Sequence, residues 1–171
     1  MDDWRLTSNS DNITFSDNYH LSAIKQPSTE ICMVVEEEPV YNGKMYKEFE
    51  ITRCSPICDM YIGCTVPYIE HTINPSNYNI LKQNSWLLST AKGILWGKNT
   101  GIPSYELGKC VQGDRIGCLL DLDSGSLDFY RNGKKFTSGY SSGISESVVI
   151  TVILATAGDI ITALPGAELP I

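Results

Sequence analysis

Residues 113–136 read GDRIGCLLDLDSGSLDFYRNGKKF, and the alternation within them decides the fold. Ile116, Cys118, Leu120 and Leu122 alternate with Gly117, Leu119, Asp121 and Asp123, the period-2 pattern of a strand with one apolar face. Asp123-Ser124-Gly125 then supplies a turn. A second strand over residues 127–131 puts Leu127 and Phe129 on one side and Asp128 and Tyr130 on the other. Asn132-Gly133 offers the positive φ angles that a type I′ hairpin requires. Turn chemistry and alternation together predict a β-meander, with Phe129 in the core.

Working outward, short apolar runs recur at residues 13–15, 20–24, 31–35, 45–52, 59–66, 85–89, 148–154 and 159–164, with a weaker one at 93–96. Gly, Pro, Asn and Ser punctuate them, and no i, i+3, i+4 apolar pattern lasts beyond about two turns. Many short strands at this spacing predict an all-β chain of two packed antiparallel sheets with little helix. Residues 1–12 are polar and read as a flexible arm, and residues 13–171 as a single domain. Three loops stand out as places for function: acidic residues 36–43, the long polar stretch 67–84, and residues 98–107 with Gly101, Pro103 and Tyr105.

The chain has 171 residues, 42 % of them hydrophobic and 19 % charged, enough for one self-sufficient core. Its net charge of −7 argues against a nucleic-acid partner, because phosphate binding needs clustered Lys and Arg. The one basic cluster, Arg131, Lys134 and Lys135, reads as a solvated turn. No apolar run approaches the roughly 20 residues of a membrane helix, so no membrane partner is expected. The N-terminus lacks the basic-then-apolar layout of a signal peptide. The expected location is therefore the cytosol, with the nucleus as alternative, and the six cysteines are expected to be reduced. The expected state is a monomer.

Gly139-Tyr140-Ser141-Ser142-Gly143 matches a nucleophile elbow literally, but His20 and His71 both precede it and no strand-turn-helix context surrounds it. Cys54, Cys58, Cys64 and His71 have a crude zinc spacing, yet Cys58, Met60, Ile62 and Cys64 share one strand phase, as core residues do. Asp121, Asp123 and Asp128 begin like a calcium loop, but Asn132 stands where its glutamate belongs, and turn amides are the simpler partners. Asp121 and Asp123 share a strand face about 7 Å apart, which a hydrolase acid–base pair would also need. No phosphate-cradling loop occurs. Neither a cofactor nor a metal is expected.

The residues 113–136 resemble the signature of SPRY domains: Gly113-Asp114 and Ile116-Gly117, an acidic strand end, a tight turn, Phe129-Tyr130 and the Asn132-Gly133 turn. Tyr46-Lys47-Glu48-Phe49-Glu50-Ile51 resembles the family's early aromatic-Glu strand, Ile62-Gly63 its Ile-Gly-Val strand, and Ser85-Trp86 its Ser-Trp pair. The resemblance runs over residues 13–164. It implies a two-layer bent β-sandwich of the concanavalin-like jelly-roll type whose loops grip a short peptide or a protein surface.

In peptide-binding members the contact surface combines a basic, Pro-containing loop, a Tyr ahead of the Ser-Trp pair, and a Val-Trp-Gly turn. The matching positions are Lys25, Gln26 and Pro27, then Tyr78, then Thr156, Ala157 and Gly158. The third region lacks the Trp, so the resemblance carries over the place of the site and not its ligand. Tyr78 has a second reading, as a cover for Ile80 and Leu81. Trp86 and Phe129 read as core, and Trp96 is left unplaced. The first functional reading is a non-catalytic interaction module that recruits a protein or peptide for a ubiquitin ligase or signalling adaptor. The alternatives are a lectin-like binder of glycans or small ligands, and a hydrolase using Asp121 and Asp123.

Overall fold

The structure is a computed structural model and describes residues 4–73, 78–98, 108–136, 139–144 and 146–171. In chain order the strands are β1 (Leu6–Thr7), β2 (Ile13–Phe15), β3 (Ser22–Lys25), β4 (Cys32–Glu36), β5 (Lys44–Arg53) and β6 (Met60–Thr65). A 3₁₀ turn (Ile69–His71) and helix α1 (Tyr78–Gln83) follow. Then come β7 (Ser85–Ser89), β8 (Ile94–Gly97), β9 (Arg115–Asp121), β10 (Ser126–Arg131), β11 (Lys134–Lys135), β12 (Val149–Leu154) and β13 (Ile160–Ala163). No helix among the described residues is long and apolar enough to cross a membrane.

The strands form two antiparallel sheets, one ordered β1-β4-β12-β6-β7-β8 and the other β11-β10-β9-β5-β13-β3-β2. The meander forms as its turns dictate. β9 pairs with β10 from Asp121↔Ser126 to Ile116↔Arg131, and Asn132 (φ 50) and Gly133 (φ 83) turn the chain into β11. Asp121 Oδ1 accepts the amides of Asp123 (3.0 Å) and Ser124 (3.2 Å), so the acidic turn closes on itself. Ile116, Cys118, Leu120, Leu127 and Phe129 face the space between the sheets, where they join Phe49, Ile51, Ile62, Trp86 and Val152 in the main core. Cys58, Met60, Ile62 and Cys64 are buried in the same cluster, as their shared phase requires.

The N-terminal residues depart from the expected arm. Trp4 is 4 % exposed, packs edge-on against Phe49 at 4.9 Å, and carries the Lys47 ammonium 4.6 Å above its ring. Leu6 and Thr7 pair with Glu36 and Val35. Polar composition concealed this because two apolar side chains, Trp4 and Leu6, suffice to dock one short edge strand.

Two further expectations shift. The strand expected at 20–24 begins at Ser22, because Asp17 accepts the amides of Tyr19, Leu21 and Ser22 and holds a turn in which His20 has φ 55. Within the expected polar loop 67–84, Tyr78–Gln83 is helical. Its last carbonyls are satisfied locally, since Asn84 Nδ2 donates to Ile80 O (2.7 Å) and Ser85 Oγ to Leu81 O (2.7 Å). Of the third expected loop, residues 99–107, with Gly101, Pro103 and Tyr105, lie outside the described residues.

Candidate functional site

The outer faces of the two sheets differ in chemistry. On the seven-stranded sheet, the hydroxyls of Ser22, Thr162 and Thr52 form a ladder, with oxygen separations of 2.9 and 2.6 Å. On the six-stranded sheet, the outward phase is mostly apolar, interrupted by the buried hydroxyl pair of Thr65 and Thr151 at 2.9 Å. Met33, Val35, Leu87, Val149 and Ile153 are buried in a second cluster, with Tyr61, Ile69, Ile73 and Trp96 packed around it. This face is buried because Ile69 and Ile73, after β6, pack on it and α1 inserts Leu81. Part of it remains open.

The open part is a cleft of ≈ 260 Å³ lined by Ile31, Tyr61, Tyr78, Leu81, Trp96 and Ile153. Strand register explains its floor. Ile153 lies opposite Tyr61 and Met33, and Leu87 opposite Trp96, so these outward side chains form adjoining rows. The rings of Tyr61 and Trp96 meet at 5.4 Å with a tilt of 58°. The helix supplies one wall through Tyr78 and Leu81, and Ile31, just ahead of β4, supplies the other. Tyr78 is 39 % exposed and Ile31 37 %.

The position of Trp96 is fixed from the margin of the other sheet. Tyr140, buried and bridged to Leu127 beside β10, accepts the Leu87 amide at its hydroxyl (3.2 Å). The same oxygen lies 3.0 Å from the carbonyls of Leu87 and Trp96. Burial pushes this phenol well above its ordinary pKa, which keeps it a donor. Ser141 and Ser142 beyond it are exposed.

The residues expected at the site divide. Lys25 is a correction: it is 1 % exposed, and its Nζ donates to Gln26 O (3.1 Å), Ser28 O (3.1 Å) and Ser28 Oγ (2.9 Å). A lysine ending a strand beside a tight loop finds carbonyls nearer than solvent, so it braces the loop instead of presenting charge. Gln26 is half-buried, with Nε2 donating to Thr14 Oγ1 at 2.8 Å, and Pro27 is exposed. Gly158 N donates to Lys25 O (2.8 Å), so the first and third expected regions are brought together. There Gly158 has φ 88, which only glycine adopts without strain, while Ala157 is exposed and Thr156 half-buried. Tyr78 shares its cleft with Ile31, four residues after Pro27, and Ile153, three residues before Thr156.

Sequence reasoning missed Tyr61, Ile31 and the placement of Trp96. Tyr61 held a usable signal, since it stands out of phase with the inward Met60, Ile62 and Cys64. An aromatic on the outward phase of a core strand must be covered or must cover something.

Beneath the joined loops lies Asp159, 1 % exposed. Its Oδ1 accepts the Ser55 amide (3.3 Å), while Oδ2 and Ser55 Oγ have no partner. Burial, aided by the Asp59 carboxylate, pushes the carboxyl from 3.8 up to about 6, against opposing pulls from backbone donors and Lys25. Between those values the folded state holds more protons than the unfolded, so this group's contribution to stability falls as pH rises through 6. Asp159→Asn is therefore expected to be more stable than the parent at pH 7.5 by about 1–3 kcal/mol, with the difference shrinking toward pH 4. Urea denaturation at both pH values checks this; a pH-independent difference or a destabilised variant at pH 7.5 contradicts it.

Comparison with known proteins follows the same lines. A family model described as the SPRY domain matches residues 59–167. Among solved structures, the SPRY domain of human HERC1 superposes with a TM-score of 0.72 at 14 % identity, covering 95 % of this chain and 99 % of that one. A human SPRY domain gives 0.70 at 20 % identity, covering 96 % and 99 %. The PSpry domain of TRIM65 gives 0.70 at 16 % identity, covering 95 % and 90 %. No curated protein matches the sequence.

Proposed function

This chain belongs to the SPRY domain family, whose members are generally protein-interaction modules, and we propose that it is a non-catalytic reader of a short peptide or protein surface. The observation that carries the reading is the apolar cleft between Tyr78 and Trp96. It holds one or two side chains. Burying one Leu- or Phe-sized side chain contributes about 1.5–3 kcal/mol, whereas a micromolar complex needs about 8 kcal/mol. The cleft therefore acts as an anchor, and flanking contacts along Pro27 and residues 156–158 complete the affinity. None of its lining residues is charged, and its polar atoms are few, which favours a peptide over a sugar needing several hydrogen bonds.

We further assign the reader, as a monomer, to recruitment for a ubiquitin ligase or signalling adaptor. That role rests on family membership alone. Peptides selected from a displayed library on the intact protein test the site. Tyr78→Ala is expected to weaken them about tenfold or more, while the melting temperature stays within about 2 °C because the side chain is substantially exposed. Selected peptides that bind the variant unchanged, or a library that yields none, would overturn the reading.

A further inference from the structure

Beside the 3₁₀ turn Ile69–His71, the same outer face opens into a second cavity of ≈ 230 Å³. Its floor is Val35 and Val149, members of the apolar cluster that also contains Ile153. Thr7 and Asn9 form one side, and Pro67, Tyr68, Glu70 and His71 the other. Asn9 Nδ2 donates to Glu70 O (3.0 Å), which ties the two sides together.

The charges bordering this cavity do not balance. Glu36 meets Lys47 at 3.5 Å, and Glu37 meets Arg5 at 3.6 Å. Glu70 is different. Its side chain is 11 % exposed, its Oε2 is buried without a hydrogen-bond partner, and its Oε1 has the exposed His71 Nε2 at 3.6 Å. His71 serves Oε1 from the exposed side, so the buried Oε2 is left without a donor, and a polar atom kept from water unpaired is costly. Tyr68 stands at the rim, 65 % exposed and in the left-handed region at φ 66. Its ring offers a cation a negative face beside the carboxylate.

We propose that this cavity is a subsite for a lysine or arginine side chain of the peptide read by the cleft. Carboxylate, aromatic rim and valine floor match a cationic head on an apolar stem. No three His, Cys, Asp or Glu side chains among the described residues are placed to hold a metal ion, which favours the organic cation. Val149 and Ile153 are four residues apart on β12, about 13 Å, and Ile69 and Ile73 cover the face around them, so the basic residue stands at least about four positions from the apolar anchor of an extended peptide. The inference rests on the reading of this face as peptide-binding, but its test uses no peptide.

The isotope-labelled full chain is titrated with Nα-acetyl-arginine methylamide, its neutral citrulline counterpart and calcium chloride, following backbone amides by NMR. Amides of residues 35–37 and 68–71 are expected to shift and saturate with the arginine probe, and about tenfold or more weakly with citrulline. Glu70→Gln should lose the arginine response. Equal responses to arginine and citrulline, a response to calcium alone, an unchanged Glu70→Gln variant or silence throughout would each overturn the subsite. If Glu70→Gln fails to fold, the arginine–citrulline comparison on the parent decides. Failure here leaves the Tyr78 result standing, and failure of Tyr78→Ala to weaken selected peptides leaves this titration standing.

Discussion

Trp4→Ala is expected to destabilise the protein by about 3–5 kcal/mol, the cost of emptying a buried Trp site. Against a total stability of about 5–15 kcal/mol this is a large share, and it corresponds to a fall in melting temperature on the order of 10 °C. The indole Nε1 has no hydrogen-bond partner, so the side chain contributes through packing on Phe49 and the cation above its face. Removing it also strips the ring from Lys47, which is 5 % exposed and paired with Glu36. Thermal and urea unfolding measure the effect. A change within about 0.5 kcal/mol, as expected of an arm in solvent, would contradict the docking of β1.

The second large effect falls on Gly63, in the middle of β6. A Cβ there would lie 2.2 Å from the carbonyl oxygen of Trp86 and 3.0 Å from Leu87 Cα, both backbone atoms of the neighbouring strand. A side-chain neighbour could rotate away; a backbone one moves only if β6 and β7 part. Gly63→Ala is therefore expected to cost about 3 kcal/mol or more, although alanine adds a single methyl group. Since β7 carries Leu87 beneath the second apolar cluster and pairs with β8 at Trp96, the variant should also loosen the cleft. Denaturation midpoints and Trp fluorescence report the two effects. A variant of parental stability would show that the strands separate freely.

How much of this was legible in the sequence depended on the range of the forces involved. The meander was readable because its causes are local: alternation, an Asx turn at Asp121, and positive φ at Asn132 and Gly133. The two-sheet architecture followed from counting strands, and the family from motifs spread over residues 13–164. Lys25 was misread because its partners, Gln26 and Ser28, are backbone and hydroxyl groups of a loop whose shape no pattern announces. The short helix at Tyr78 escaped because its six residues are too few for a period to show. The cleft was half legible. Tyr78 came from the resemblance, whereas Tyr61, Ile31 and Trp96 are assembled by register between strands distant in sequence.

The Tyr140 hydroxyl joins the two sheets. It belongs to a residue bridged to Leu127 in one sheet, and it holds Leu87 and Trp96 in the other. One oxygen thus links the margins of the two sheets, much as a clasp does. The aromatic floor of the cleft at Trp96 is thereby tied, through Tyr140, to the strand that carries Phe129 in the core.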